Sequence, residues 1–405
     1  MMPSTVTQTV VAHIEEEATS GSYEAEAAAQ PRISKVYDSL AKLLDCNANE
    51  VAIVSSATRA WQLGLEALLD QVTAPCRATG AQVTLFTSEN DYASNYIGLL
   101  QAKQRLEATG SFTVVIDVVD YDVDGRVDLD ALSTRLSRAQ QPAILTLCHV
   151  PTNGGLVQDA VAIGREARRH GIPLLLDACQ SVGQIKVSFR DIGASVLSGT
   201  SRKYLRGPRG VGFLVVDSSL GLEPPSSLDL SGATVLDEHR FQVRADARRF
   251  EEWEGNVAAI LGFGQAVDYA LDQGLDVIEG RIRRLAEYLR EELGGIPGVK
   301  VWDRGQASHR CGIVTFAVDG HSPVRIKEHL SATQPHSINV SVSTCTSTPL
   351  DMRRQGLDAL VRKPQGRRHN TCRFGHRCRT TTPQRSLIVV SVAFVTCWIV
   401  EDIHN

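Results

Sequence analysis

The segment that constrains this chain most is Leu174–Phe213, which reads LLLDACQSVGQIKVSFRDIGASVLSGTSRKYLRGPRGVGF. Its apolar run Pro173–Leu176 is bounded by Gly171 and by polar residues, which is typical of a buried parallel strand. Such a strand would deliver Asp177 at its carboxyl end, where ligands bind in open α/β sheets. Lys203 follows a second short strand in a glycine-flanked segment. Together the two residues indicate a ligand site at one edge of a parallel sheet.

An acid and a lysine in these positions are what pyridoxal phosphate requires. The ring of this cofactor becomes an electron sink only while its nitrogen stays protonated, which needs a carboxylate beside it, and Asp177 is the candidate. The cofactor also needs a lysine that forms the resting Schiff base and later moves protons, and Lys203 is the candidate catalytic residue. Each residue alone has an ordinary alternative, since such acids often cap helices and most lysines are solvated.

The motifs DACQSVGQ and SRKYLRGPRG resemble those of the class V pyridoxal phosphate enzymes, which include cysteine desulfurases, isopenicillin epimerase and carbon–sulfur lyases. The resemblance extends roughly over Ser20–Arg362 and implies an α/β chain with the pyridoxal-phosphate transferase fold of type I. It also implies that Gln180 bonds the phenolic oxygen of the cofactor and that Thr200 and Arg202 help to hold the phosphate. Arg202 departs from the histidine of many desulfurases, and it would add a charge-assisted bond to a phosphate or substrate.

Three further segments supply candidate cofactor contacts. VAIVSSATRAWQLGLEALL reads as a strand, a turn and a helix, and the free amides of Ala57 and Thr58 at the helix start suit a phosphate, with ordinary helix capping as the alternative. The resemblance places Tyr92 of SENDYASNYIGLLQ against the cofactor ring, where a flat side chain can stack. It places Thr152 of HVPTNGGLVQD near the imine, with Asn153 beside it towards the substrate. Turn chemistry explains the last two residues equally well.

Composition favours a globular enzyme of small molecules. The chain has 405 residues, of which 43% are hydrophobic, and this length is enough for a large domain and a smaller one. Its formal net charge of -4 is small for this size. No basic stripe interleaved with aromatic residues appears before the tail, so we expect small-metabolite partners and no nucleic acid. The resemblance implies that the substrate is an amino acid. The amino terminus lacks a secretory pattern, which makes a cytoplasmic location the expectation. Nine scattered cysteines imply no disulfide framework.

The hydrophobic pattern predicts two domains. From Cys46 to Val216 short apolar strands alternate with amphipathic helices, which predicts a mostly parallel, seven-stranded sheet in a large domain of residues 16–250. Residues 1–15 and 251–361 are predicted to form a smaller α/β domain, entered through one long helix. Its predicted elements are a helix over Arg281–Leu293 and strands over Val299–Trp302, Cys311–Val318 and Ile338–Val342. The resemblance implies a homodimer in which the loop Arg249–Asn256 reaches the pocket of the partner.

The carboxyl-terminal part is unusual. Arg362 matches the family's arginine that grips the substrate carboxylate, although a surface arginine is the alternative. Residues 362–405 are basic and then abruptly apolar, as in a frameshift or a retained intron, and are predicted to be an aberrant tail. The run Leu387–Val400 is too short for a membrane helix and suits a strand or a sticky tail. Cys372, His376 and Cys378 fit no standard zinc spacing, so no metal is expected.

The motifs indicate the cofactor and leave several reactions open. A desulfurase needs a mobile thiol, and Cys345 in SVSTCTSTPLDM is the candidate nucleophile, one place away from the expected position. Without that thiol Lys203 would take the α-proton and the β-substituent would depart, so the favoured hypothesis is a lyase or transferase, as in the enzyme that ends ergothioneine synthesis. Epimerisation, aminotransfer and a specialised-metabolite role resembling loline-cluster enzymes stay open. An inactive paralogue is the alternative from another class, because the chain is expected to lack the family's substrate-closing first segment and to end in an aberrant tail.

Overall fold

A computed structural model of the chain describes residues 1–76, 80–139, 141–303, 305–333, 338–343, 348 and 387–391. The helices are α1 Ser4–Ser20, α2 Ser22–Leu44, α3 Ala57–Thr73, α4 Ala93–Ala108, α5 Leu129–Arg138, α6 Ala160–Arg169, α7 Phe189–Ile192, α8 Val257–Gln273, α9 Leu275–Gly294 and α10 Pro323–Ala332. The strands of the main sheet are β1 Val51–Val54, β2 Gln82–Ser88, β3 Thr113–Val119, β4 Ala143–Cys148, β5 Leu174–Asp177, β6 Val196–Thr200 and β7 Gly212–Val216.

The main sheet has seven strands in the order β1-β7-β6-β5-β4-β2-β3. From β3 across to β6 the neighbouring strands pair in parallel, whereas β7 runs antiparallel to both β6 and β1. Parallel strands need helical crossovers, and α4, α5 and α6 supply them along the chain. This architecture confirms the predicted mostly parallel, seven-stranded α/β sheet.

The sheet is buried on both faces, because successive residues of its strands enter two different apolar cores. In β5, Leu174 and Leu176 belong to the core that includes residues of α2, α6 and α8, while Leu175 belongs to the core that includes α3 and α4. All three leucines are at most 1% exposed. A strand covered on both sides reads as a continuous apolar run, which explains the LLL sequence before Asp177.

A second, four-stranded sheet lies in the part of the chain that follows α9. It contains β10 Val299–Val301, β11 Ile313–Val318, β12 Ser341–Ser343 and β13 Leu387–Ser391 in the order β10-β11-β13-β12. The helix α9 agrees with the predicted Arg281–Leu293, but the strand predicted over Ile338–Val342 begins at Ser341. The strand β13 comes from the segment predicted to be a tail, and it pairs antiparallel with both β11 and β12. The domain boundaries stay predictions.

The long helix predicted to follow the RRFEEWEGN segment corresponds to α8, and the helix predicted separately over Arg281–Leu293 lies within α9. Gly274 separates α8 from α9, and its φ of 80° is a conformation that favours glycine and interrupts the helix. At the other end of the chain α1 and α2 pack against α8. A separate hairpin of β8 Ala233–Asp237 and β9 Arg240–Val243 projects from the large domain with most of its residues exposed.

Candidate functional site

The carboxyl ends of β4, β5 and β6 meet at one edge of the main sheet. In the parallel register Cys148 of β4 pairs with Asp177 of β5, which pairs with Ser198 of β6. Asp177 is 6% exposed, so its charge lies inside the protein. The prediction that β5 delivers Asp177 to this edge is confirmed, and the helix-cap alternative is wrong because a turn follows β5 and the next helix begins only at Phe189.

Two donors hold the carboxylate of Asp177. The backbone N–H of Cys179 donates to Oδ1 at 2.9 Å, and Nδ2 of Asn95 donates to Oδ2 at 2.8 Å. A carboxylate has about four lone-pair positions, so two such bonds leave room for a further donor. The geometry therefore suits a group that presents an N–H to this edge, as a protonated pyridine ring does.

Lys203 and Tyr92 approach the same edge from different elements. Lys203 lies in the turn after β6, and Tyr92 is the residue before the first turn of α4. The Nζ atom of Lys203 is 6.0 Å from the centroid of the Tyr92 ring. Lys203 is half-buried and Tyr92 is 37% exposed, so both side chains border space that a ligand can enter. A flat ligand lying on Tyr92 would hold its reactive atoms within reach of the amine.

The start of α3 lies beside the end of β6. Thr200 of β6 pairs with Gly212 of β7, and a Cβ atom on Gly212 would lie 2.3 Å from the carbonyl carbon of Ser56 and 2.5 Å from the nitrogen of Ala57. Only a glycine permits this approach, which brings Thr200 next to the helix start. Ser56 caps α3 by accepting a bond from the N–H of Arg59 at 3.1 Å.

Capping by Ser56 leaves backbone amides at the start of α3 that can still bind a phosphate. The side chain of Ser56 occupies one of the first backbone donors of α3, and the N–H groups of Ala57 and Thr58 precede any intrahelical partner. Ala57 is half-buried and Thr58 is exposed, so this turn faces outward. Free amides at a helix start, with the positive end of the helix dipole, attract an anion.

The other predicted site residues within the described ranges lie in the turns that follow β4, β5 and β6. Arg202 is exposed and interacts electrostatically with Cys179, while Gln180 and Thr152 are half-buried in turns after β5 and β4. Asn153 is buried, and its Nδ2 donates to Oγ1 of Thr348 at 2.7 Å. The predicted nucleophile Cys345 and the predicted substrate arginine Arg362 lie outside the described residues.

The turn that carries Thr152 and Asn153 is joined by hydrogen bonds to β11 and to the segment before it. Cys311 N donates to the carbonyl of Gly155 at 2.8 Å, and Val157 N donates to the carbonyl of His309 at 2.7 Å. The N–H of Gly154 bonds Oγ1 of Thr315 in β11 at 2.9 Å. These bonds fix the position of this side of the site relative to β11.

The sequence analysis missed two buried residues of the SENDYASN segment. Asp91 is 2% exposed and Asn95 is 3% exposed, and Asn95 contacts both Asp91 and Asp177. Burial raises the pKa of Asp91 to about 6, against the opposing effect of its hydrogen bonds. The spacing of four residues was a usable signal, because residues four apart lie on the same face of a helix turn.

His149 is a third missed residue. It follows β4, is 6% exposed, and its backbone N–H donates to the carbonyl oxygen of Asp177 at 3.0 Å. Its Nδ1 atom is buried and has no hydrogen-bond partner among the residues that the structure describes. Burial lowers the pKa of His149 to about 4, so the imidazole is neutral at pH 7.

The residues at this edge fit pyridoxal phosphate. They include a buried carboxylate with a free acceptor position, a half-buried lysine amine, a partly exposed aromatic ring and a helix start with free amides. Within the described ranges no group of three or more histidine, cysteine or acidic side chains could hold a metal ion. None of the described helices is long and apolar enough to cross a membrane.

Comparisons with known proteins agree with this chemistry. The family model for class V aminotransferases matches residues 2–378. A probable cysteine desulfurase of Methanothermobacter thermautotrophicus is 29% identical over 247 residues, which are 60% of this chain and 58% of the relative. A probable cysteine desulfurase of Xylella fastidiosa is 32% identical over 218 residues, 53% of this chain and 50% of the relative. The chain thus matches only about half the length of these curated relatives.

Solved structures share the fold. The apo cysteine desulfurase of Thermococcus onnurineus superposes with a TM-score of 0.75 at 19% identity, covering 88% of this chain and 85% of the other. A C-DES mutant with glycine covalently linked to its PLP cofactor superposes with a TM-score of 0.71 at 19% identity, covering 84% and 86%. At these identities the superpositions establish a common fold but not a common reaction.

Proposed function

Because the chain belongs to the class V aminotransferase family, we propose that it is a pyridoxal phosphate enzyme that breaks the carbon–sulfur bond of a cysteine-like amino acid. The observation that carries the proposal is the position of the Lys203 amine, 6.0 Å from the Tyr92 ring centroid at the sheet edge that holds Asp177. A lysine, an aromatic face and a buried acid are the three groups that this cofactor requires around its ring.

The phosphate would be held at the start of α3. The backbone N–H groups of Ala57 and Thr58 would donate to its oxygens, and Thr200 lies beside them across the close contact of Gly212 with Ser56. Arg202 would add a charge-assisted bond from the solvent side. This arrangement would hold the phosphate end of the cofactor, and Tyr92 and Asp177 would contact its ring.

Each side chain near the ring has a separate task. When bound, pyridoxal phosphate supplies a conjugated ring that accepts the electron pair of the substrate's α-carbon. Asp177 would hold the proton on the ring nitrogen, Tyr92 would cover one ring face, and Gln180 would bond the phenolic oxygen. The Nζ atom of Lys203 takes the proton from the α-carbon and can return it to the departing sulfur.

Two outcomes at sulfur are consistent with these roles. In β-elimination the Cα–H and Cβ–S bonds of L-cysteine break, and uptake of one water gives pyruvate, ammonia and hydrogen sulfide. In desulfuration the sulfur passes to an enzyme thiol as a persulfide, a proton takes its place at the β-carbon, and alanine leaves. The names of the curated relatives favour desulfuration, with Cys345 as the candidate thiol. Arg202, in place of the histidine of many desulfurases, favours elimination.

Product analysis tests the proposal and separates the two outcomes. Purified protein with added pyridoxal phosphate should show a visible absorbance band. With L-cysteine and dithiothreitol, which reduces an enzyme persulfide to thiol and sulfide, it should release sulfide together with either pyruvate or alanine. Lys203→Ala is the inactive control, and Lys186→Ala, an exposed lysine, is the matched active one. A protein that forms no visible band and releases neither product would contradict the enzymatic proposal.

We also propose that the enzyme works as a homodimer. A cavity of about 920 Å³ is bordered by Ser55 next to the phosphate end, by α1 and α2, and by the loop Glu251–Asn256. Trp253 in this loop is 59% exposed, and Phe241 in the β8–β9 hairpin is 60% exposed, so both rings are available to a partner surface. Light scattering that gives the mass of one chain at micromolar concentration would contradict this proposal.

A further inference from the structure

A second buried carboxylate, Asp91, lies behind Asp177, and one side-chain amide joins the two. Nδ2 of Asn95 donates to Oδ2 of Asp177 at 2.8 Å and to Oδ1 of Asp91 at 3.0 Å. An amide nitrogen carries two hydrogens, so Asn95 can satisfy both acids at once. The exposed fractions are 2% for Asp91, 3% for Asn95 and 6% for Asp177, so water cannot easily replace these bonds.

Further donors stabilise Asp91 in place. Its Oδ2 accepts from Oγ1 of Thr87 at 2.7 Å, and its Oδ1 accepts from the N–H of Tyr92 at 2.8 Å. Burial nevertheless outweighs these bonds and raises the pKa of Asp91 to about 6. Above that pH the Asp91 side chain is a buried anion that accepts these hydrogen bonds.

The charged and titratable groups that face the two acids come from the end of β4 and from the segments that follow β4, β5 and β6. They are Cys148, His149, Cys179, Arg202 and Lys203. Burial raises the pKa of both thiols well above the ordinary value and keeps the imidazole neutral, so at pH 8 none of these three carries charge. Arg202 and Lys203 lie on the open side, and Asp91 is the second anion next to Asp177 within the described part of the chain.

We propose that Asp91 and Asn95 are positioning residues for Asp177. Asn95 fixes the direction of the Asp177 carboxylate, and Asp91 orients Asn95 and adds a second negative charge behind the acid. A second anion near a cation stabilises the cation, so this pair favours a protonated ring nitrogen in the bound cofactor. The inference rests on the proposed function, because it requires pyridoxal phosphate beside Asp177.

The test compares two cofactors that differ only at the ring nitrogen. Pyridoxal phosphate and its 1-deaza analogue, in which carbon replaces that nitrogen, are titrated into the apoprotein at pH 8, and the ratio of their dissociation constants is measured. The wild-type protein should prefer pyridoxal phosphate. Asp91→Asn keeps the shape but removes the charge, and it should reduce this preference by about fivefold. Damage to the pocket would weaken both cofactors equally and leave the ratio unchanged.

Matched variants complete the test. Asp130→Asn, an exposed acid on α5, should leave the preference as in the wild type. Asp91→Ser serves as a second charge-free variant if Asp91→Asn does not fold by circular dichroism. In an Asn95→Ala background Asp91→Asn should have a smaller effect, because the connecting amide is gone. An unchanged preference in the folded Asp91 variants would overturn the inference, and an equal effect in both backgrounds would overturn the part of it that acts through Asn95. A wild-type protein that binds neither cofactor would instead contradict the proposed function.

Discussion

The Nζ atom of Lys203 lies 6.0 Å from the centre of the Tyr92 ring, although the two residues follow different strands of the sheet. β2 precedes Tyr92 and β6 precedes Lys203, and parallel pairing through β4 and β5 brings their carboxyl ends to one edge. A flat cofactor resting on Tyr92 would therefore meet the amine of Lys203. The fold creates this relationship, since nothing in the local sequence of either segment specifies it.

Replacement of Tyr92 should affect cofactor affinity through its ring face. Tyr92→Ala is expected to weaken pyridoxal phosphate binding roughly 2- to 10-fold, because stacking contributes about 0.5 to 1.5 kcal/mol. Tyr92→Phe keeps the ring and should bind almost as the wild type does. Titration of apoprotein, followed by absorbance, measures both. Equal losses in the two variants would mean that the hydroxyl, and not the ring face, is the important group.

Asp177 should be required for catalysis more than for folding. Asp177→Asn cannot hold a positive ring nitrogen by charge, and we expect a loss of activity of roughly 100-fold or more. Asp217→Asn is the matched control, because Asp217 follows β7, which runs antiparallel to β6 and so ends at the opposite edge of the sheet. Steady-state rates and thermal unfolding of both variants separate the two effects. Similar activity losses in both variants would contradict the assigned role.

Gly212 should be needed for the contact between β7 and α3. A methyl group in Gly212→Ala would lie 2.3 Å from a backbone atom of Ser56, so the helix start must shift. We expect a loss of about 1 to 3 kcal/mol in the free energy of unfolding, as in other overpacked cores. The variant should also lose affinity for pyridoxal phosphate more than for unphosphorylated pyridoxal.

A glycine with free space around it provides the comparison for Gly212→Ala. Gly294 ends α9, and a methyl group there would meet nothing within 4 Å. Gly294→Ala should therefore leave both the free energy of unfolding and the cofactor affinity close to the wild-type values. If Gly212→Ala behaved in the same way, the close approach of β7 to α3 would be contradicted.

His149 should make the protein less stable in acid. Its pKa is lowered from 6.5 to about 4 by burial, so between these values the unfolded chain binds a proton that the folded protein does not. Stability from this residue is complete above pH 6.5 and is lost as the pH falls towards 4, by roughly 3 kcal/mol. His149→Gln cannot be protonated and should flatten this part of the pH profile. His239→Gln, at an 83% exposed side chain, should not.

Denaturant unfolding between pH 4 and pH 7 measures the effect of His149. The wild-type protein and the His239→Gln variant should lose stability together as the pH falls. Asp91 acts in the opposite sense, because its pKa is raised, and it is unchanged in all three proteins, so it cancels in the comparison. A His149→Gln profile as steep as that of the wild type would show that the acid sensitivity comes from other groups.

The part of the site that follows single strands could be predicted from the sequence. An apolar run with no polar alternation implies a strand buried on both faces, and such a strand places the next polar residue at a sheet edge. Asp177 after β5 and the turn of Lys203 after β6 follow directly from this rule. The start of α3 could likewise be predicted from the capping serine and from the helical spacing of the apolar residues that follow it.

Residues that act through a partner far away in sequence could not be predicted. The bond of Asn95 to Asp177 spans 82 positions, and that of Asn153 to Thr348 spans 195. Local patterns carry no information on such pairs, because they depend on how elements pack.

Covalent trapping at Lys203 tests the central claim most directly. The protein is incubated with pyridoxal phosphate, reduced with borohydride, digested and analysed by mass spectrometry, so that any reduced cofactor remains on the amine that held it. The account predicts one modified peptide that contains Lys203, and loss of both this adduct and the visible band in Lys203→Ala. An adduct on another lysine, or none after saturation with cofactor, would contradict the assignment of this sheet edge as the active site.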